Sequence, residues 1–288
     1  ALPICLIGIT YLKMGDYKNA VTYLNKSLNK LGFKSEDFER DVRYYLAEAC
    51  EGSGDTKRAV KLYTGLIDEQ EDAEAYFLRG RIYLEQKEEE KAEDDFKASL
   101  AKDPGYNNYI RVYLLYSEEN READGAAYLE DAVKKEPEGE KEQYEQGRIF
   151  YYLQEYDKAI QVLKKAVSSG SEDAVWLLGQ IYQKSKDTAS AKKLYQHYLE
   201  DDKESAAAYN GLALCDIADQ KYDDALSNIQ SGLETADKKD KENLLFNEIV
   251  VYEQTLAFNK AKEKMTAFLQ QYPENEAAVR ESTFLKSR

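Results

Sequence analysis

The chain has 288 residues, of which 43% are hydrophobic and 33% charged, and its net charge is −15. That balance excludes a disordered chain, and the surplus of carboxylates repels phosphates, so no nucleic-acid partner is expected. Four prolines and fifteen glycines are too few for the turns of an all-β fold, and no stretch approaches the ~18 apolar residues of a membrane span.

Residues 1–12 form an apolar run broken by Pro3, Gly8 and Thr10, with no basic stretch before it and no small-residue cleavage site after it. The run predicts the first helix of an array, not a signal peptide. That helix is already in register with the later helices, so a segment before Ala1 carrying a signal, a lipid anchor or a further domain stays open. Localisation stays open with it, between the cytoplasm and the cell surface. From Ala20 onward a small residue opens a second helix at nearly constant spacing: Ala20, Ala59, Ala92, Gly125, Ala159, Ala191, Ala225 and Ala261. The intervals are 39, 33, 33, 34, 32, 34 and 36 residues, and a period near ~34 marks stacked helical hairpins.

The most regular copy is 73–106. Tyr76, Gly80 and Tyr83 recur at i, i+4 and i+7 on a first helix, and Ala92, Phe96 and Ser99 repeat that spacing on a second. Residues 86–89 supply a polar turn, and Pro104 ends the second helix. Gly80 and Ala92 are small where paired helices cross, and the aromatic residues fill the space around them. Eight copies follow this plan, at 1–34, 40–73, 73–106, 106–139, 140–173, 172–205, 206–239 and 242–275, with an amphipathic capping helix at 276–287. About five extra residues, 35–39, lengthen the first connection and predict an added helical turn or a bulge.

This pattern resembles the tetratricopeptide repeat, whose signature runs W-x2-L-G-x2-Y, then A-x3-F, then P. Gly8, Gly80, Gly147 and Gly179, with Ala47 and Ala213, stand at its glycine. Tyr11, Tyr83, Phe150 and Tyr182 stand at its aromatic residue, with Tyr116 and Tyr252 in less regular copies. Leu24, Tyr63, Phe96, Leu129, Leu163, Tyr195, Ile229 and Met265 stand at its bulky residue, and Pro104, Pro137 and Pro273 at its proline. The fourth copy has Tyr113 for glycine and Gly125 for alanine, which predicts that large and small residues have changed places across the crossing. Cys50, Asp216 and Ile249 break the signature in the second, seventh and eighth copies, which should pack less regularly. The resemblance implies an all-α fold: one right-handed α-solenoid superhelix over 1–288.

In such an array the first helices line a concave groove. The residues projecting into it, and so the candidates for peptide binding, are Tyr44, Phe77, Arg81, Ile110, Tyr144, Arg148, Tyr151, Trp176, Asn210 and Phe246. Aromatic and arginine side chains on one surface are the composition of interaction hot spots, and Tyr144, Arg148, Tyr151 and Trp176, beside Tyr152, are the densest set. Hydrophobic contact would supply affinity there, with Arg81 and Arg148 fixing acidic or carbonyl groups. Packing is the competing role, because Tyr44, Phe77 and Tyr144 stand where aromatic wedges also occur in the family. One groove of this family holds the carboxylate end of chaperone tails with Lys and Asn on neighbouring first helices. The equivalent pairs, from Tyr44/Glu48 to Phe246/Val250, contain no such couple, so that mode is not expected.

No catalytic chemistry is expected. His197 is the single histidine, on a second helix, with no nucleophile beside it in sequence. No phosphate-binding glycine loop occurs, a zinc site would need ligands from scattered repeats, and no cofactor is implied. Cys5, Cys50 and Cys215 are far apart and read as buried free thiols. Residues 118–145 carry a net −7, which reads first as a solvated face and second as a patch for a basic partner or cation. The function expected is a non-enzymatic scaffold for a protein or peptide ligand. The alternatives are a spacer that self-associates through its apolar first helix, or a regulatory segment of a larger protein.

Overall fold

The structure, a computed structural model, describes residues 1–30 and 36–287, which form seventeen helices; no strand occurs among the described residues. Their contacts gather into two compact units, Ala1–Glu136 and Pro137–Arg288. The first holds four hairpins: α1 (Leu2–Lys13) with α2 (Tyr17–Asn29), α3 (Glu36–Gly52) with α4 (Thr56–Gln70), α5 (Ala73–Glu85) with α6 (Glu89–Lys102), and α7 (Tyr106–Glu118) with α8 (Glu122–Ala132). The second holds four more: α9 (Gly139–Tyr152) with α10 (Tyr156–Ser168), α11 (Glu172–Lys184) with α12 (Thr188–Asp201), α13 (Ala206–Ala218) with α14 (Tyr222–Thr235), and α15 (Lys238–Gln254) with α16 (Phe258–Gln271). The terminal helix α17 (Glu276–Lys286) packs on α16. The extra residues of the first connection lengthen α3 to 17 residues, with Ser35 outside the described residues.

The crossing of each hairpin follows from side-chain volume. Every small residue that opens a second helix is buried, and so is the bulky residue four positions on. The bulky side chain lies over the small residue of the first helix. A methyl group added at Gly8 would come within 2.7 Å of Leu24 Cγ, and one at Gly147 within 2.5 Å of Leu163 Cδ2. In the fourth hairpin the exchange is visible, because a methyl on Gly125 would lie 3.1 Å from the Cα of Tyr113. Cys50 and Ile249 are buried in their irregular hairpins, and Asp216 is buried against Lys192 Nζ at 2.7 Å while accepting from Asn228 at 2.8 Å.

Each hairpin turns on one left-handed residue five positions before its small residue: Gly15, Gly54, Lys87, Asn120, Gln154, Lys186, Gln220 and Leu256. The next residue donates its N–H back to the first helix, as in Asp16 to Tyr11 O at 2.9 Å and Ala257 to Tyr252 O at 2.8 Å. These bonds satisfy carbonyls that a helix end would otherwise leave bare. Asp16, Asp55 and Asp187 also cap their second helices with a side-chain oxygen.

Successive hairpins are joined by a face of the first helix that the repeat pattern did not reveal. Val42 with Ala49, Ala75 with Ile82, Ala174 with Ile181, Ala208 with Cys215, Leu244 with Val251, and Ala278 with Leu285 are all buried, seven residues apart on their helices. The preceding second helix lies on each of these first helices, as α2 does on α3, α4 on α5, and α10 on α11. Polar clasps add to the seam. Arg79 holds Asp95 through two bonds of 2.8 and 2.7 Å and reaches back to Thr64 at 2.9 Å.

Candidate functional site

First helices of neighbouring hairpins also touch one another, as α1 with α3, α9 with α11 and α13 with α15. The expected binding residues lie on this first-helix layer.

In the first unit two of the four expected residues are packed away, while Tyr44 and Arg81 stay partly exposed. Phe77 is 6% exposed and Ile110 1%, so both are core residues, and their expected projection into a groove is corrected to packing. The Phe77 ring lies under the Arg111 guanidinium at 3.8 Å, and Arg111 makes a fork of 2.7 and 2.6 Å bonds with Glu74 on the preceding first helix. Arg81 pairs with Glu51 of α3, whose other oxygen accepts from the Tyr63 hydroxyl at 2.7 Å. It therefore clasps two hairpins, and the expected contact with an acidic ligand competes with that pair. Tyr44 is half-buried 6.1 Å from the Tyr63 ring, and burial, with Asp72 beside it, pushes its hydroxyl pKa up.

In the second unit polar and aromatic groups stay partly open. Tyr144, Arg148, Tyr151 and Tyr152 share α9 and are all half-exposed. Arg148 lies 5.8 Å from the Tyr144 ring centre and bonds Glu145 at 2.9 Å. Burial by itself would lower its hold on a proton; the Tyr152 hydroxyl, Glu145 and Tyr144 outweigh that and raise it. Burial also raises the Tyr144 hydroxyl pKa, which Arg148 opposes and Asp173 and Glu145 reinforce. Tyr151 packs 5.8 Å from Tyr152 and 6.1 Å from Tyr156.

Trp176 does not join that cluster through its ring. It stacks on Tyr195 at 6.2 Å and meets Tyr198 edge-on at 5.0 Å, so α12, the second helix of its own hairpin, holds it. Phe246 likewise leans on Phe268 of α16 at 5.7 Å. Asn210 accepts a 2.7 Å bond from Asn247, which ties α13 to α15.

Two participants escaped the sequence reading. Lys184 of α11 places its ammonium 5.2 Å from the Tyr151 ring and 5.3 Å from that of Tyr156. Asn247 partners Asn210 from 37 residues away. A lysine ending one first helix and an asparagine one residue past the expected register carry no motif, so only the fold reveals them.

His197 is exposed, with its ring nitrogen 3.1 Å from Glu200. The three cysteines are buried and free. Among the described residues no group of three metal-binding side chains converges, and no helix is long and apolar enough to cross a membrane.

Tetratricopeptide-repeat family models match residues 4–29, 46–107, 114–174 and 151–215. No curated protein matches the sequence. Among solved structures, a tetratricopeptide-repeat protein from Parabacteroides merdae ATCC 43184 is similar with a TM-score of 0.55 and 15% identity, over 99% of this chain and 98% of that one. The C-terminal part of a repeat-containing protein from Cytophaga hutchinsonii has a TM-score of 0.50 and 16% identity, over 82% and 98%. A thermophilic repeat protein of Thermus thermophilus has a TM-score of 0.50 and 14% identity, over 64% and 100%. At such identities the likeness shows the fold alone. Family-model matches in several successive copies, hairpins that cross at small residues and this shared architecture lead to one conclusion: the chain belongs to the tetratricopeptide-repeat family.

Proposed function

We propose that the first-helix layer of the second unit is a groove that binds an extended peptide or a disordered protein segment, without catalysis. Proteins of this family are generally interaction scaffolds and typically not enzymes. The observation that carries the reading is the α9 cluster, where Tyr144, Arg148, Tyr151 and Tyr152 remain half-exposed beside Lys184. Tyrosine gives large contact area at low entropic cost, and Glu145 and Tyr152 occupy only part of the five-donor fork of Arg148. Trp176 rests on Tyr198 and Phe246 on Phe268, and the bonded pair Asn210 and Asn247 adds amide groups of the kind a peptide backbone can pair with.

The test is selection of binding peptides from a displayed random library, followed by titration of the Tyr144→Ala/Arg148→Ala variant. Loss of one aromatic and one arginine anchor should weaken the selected peptide at least about tenfold, with helix content unchanged by circular dichroism. Equal affinity for the variant would remove the groove from consideration.

A second reading, self-association or assembly through an end of the chain, is favoured by one observation: Leu2, Leu6 and Ile7 of α1 are exposed together.

A further inference from the structure

We infer that Tyr195 is a ligand-contacting residue of the groove: its hydroxyl, set between α11 and α13, donates to a backbone carbonyl of the bound peptide. The inference rests on the groove reading and names one protein group and the peptide atom it pairs with. Tyr195 belongs to α12, the second helix of its hairpin, and is 4% exposed. Its ring reaches between two first helices through a slot cut by two glycines. A methyl group added at Gly179 of α11 would overlap the hydroxyl, and one at Gly211 of α13 would come within 2.5 Å of the ring's Cζ. The register of Gly211 holds larger residues in the other hairpins, Leu78 in α5 and Leu177 in α11 among them, so this opening is particular to one junction.

The second hairpin shows what the junction leaves out. There Tyr63, at the same register as Tyr195, donates its hydroxyl to Glu51 at 2.7 Å, and Arg81 of the next first helix pairs with Glu51 and closes the spot. Around Tyr195 the equivalents of Glu51 and Arg81 are Gln183 and Leu214. Gln183 turns its amide nitrogen to Gly211 O at 3.4 Å and Cys215 Sγ at 3.8 Å, and Leu214 is 36% exposed. The Tyr195 hydroxyl is left with no hydrogen-bond partner among the described residues. Burial, with the Cys215 thiol nearby, pushes its pKa up, so it stays an O–H donor. A buried hydroxyl without a partner destabilises the fold, and an acceptor brought by a ligand removes that cost. Trp176, stacked on the ring at 6.2 Å, Gln183 and Leu214 carry no charge, which favours a neutral backbone carbonyl over a charged side chain.

The experiment is calorimetric titration of a peptide selected from the displayed library into wild type, Tyr195→Phe and Tyr144→Ala/Arg148→Ala, together with the melting temperature of each free protein. Tyr195→Phe keeps the ring that fills the slot and removes only its oxygen. The expected result is binding about three- to tenfold weaker for Tyr195→Phe, the loss of one neutral hydrogen bond, with a melting temperature at or above that of wild type. A lower melting temperature for free Tyr195→Phe means that the fold itself uses the hydroxyl, and overturns the inference. Equal affinity for Tyr195→Phe, from a peptide that Tyr144→Ala/Arg148→Ala weakens, also overturns it and leaves the groove reading standing. A library that yields no peptide, or a peptide that neither variant weakens, overturns both.

Discussion

Leu256 is 72% exposed and holds a φ of 59°, a conformation that costs an L-residue about 1–2 kcal/mol. Nothing around it rewards the leucine, so Leu256→Gly should raise stability by about 0.5–1 kcal/mol after the entropy of glycine is counted, seen as a higher urea midpoint. Glycine has opposite meanings elsewhere. At Gly80 an added methyl would meet Phe96 Cε1 at 2.9 Å, whereas at Gly65 in α4 nothing lies within 4 Å. Gly80→Ala should therefore cost about 1–3 kcal/mol by overpacking, while Gly65→Ala should gain about 0.5–1 kcal/mol of helix stability. Equal and same-signed shifts in the two urea midpoints would contradict this account. The crossing glycines were legible in the sequence because volume demands a small residue there. The left-handed corner was not, since six of its eight residues are not glycine and the backbone bonds that hold it leave no side-chain signature.

At the scale of the element, α17 is the terminal helix of the fold and buries only Ala278 and Leu285. Across its seam Glu253 of α15 faces Glu281. Burial first, then the nearby charge of Glu281, push the Glu253 carboxyl pKa up to about 7. The folded value lies above the ordinary 4.5, so the seam is firmest below that ordinary value and weakens as pH rises through about 7. Wild type should lose melting temperature between pH 6 and pH 8 relative to Glu253→Gln, and parallel curves for the two proteins would rule the coupling out. The candidate site shows the same limit of legibility. Helical spacing correctly placed Tyr144, Arg148 and Tyr151 on one helix, but spacing does not reveal that Glu51 engages Arg81, that Phe77 is covered by Arg111, or that Trp176 leans on α12. Those outcomes depend on partners about 19 to 34 residues away, contacts that only the folding and stacking of hairpins create.

For the molecule as a whole, the 34-residue rhythm made every hairpin legible, yet it did not mark the division after Glu136. Pro137 stands there at the signature proline, as Pro104 does between two hairpins of one unit, so the residue type cannot distinguish a seam from a boundary. Within the first unit, buried clusters built on Leu24, Leu46 and Tyr63, and on Phe96 and Tyr116, span its hairpins. Within the second, the clusters around Ile229 and Leu244, and around Met265 and Phe268, join the last two hairpins and α17. Each unit has four hairpins, above the roughly three repeats an array needs to be stable. Residues 1–136 and 137–288 expressed separately should each show helical circular dichroism and a cooperative melt. If either fragment gave a random-coil spectrum while the intact chain melted as one transition, the cores would be interdependent and the division after Glu136 would have no energetic meaning.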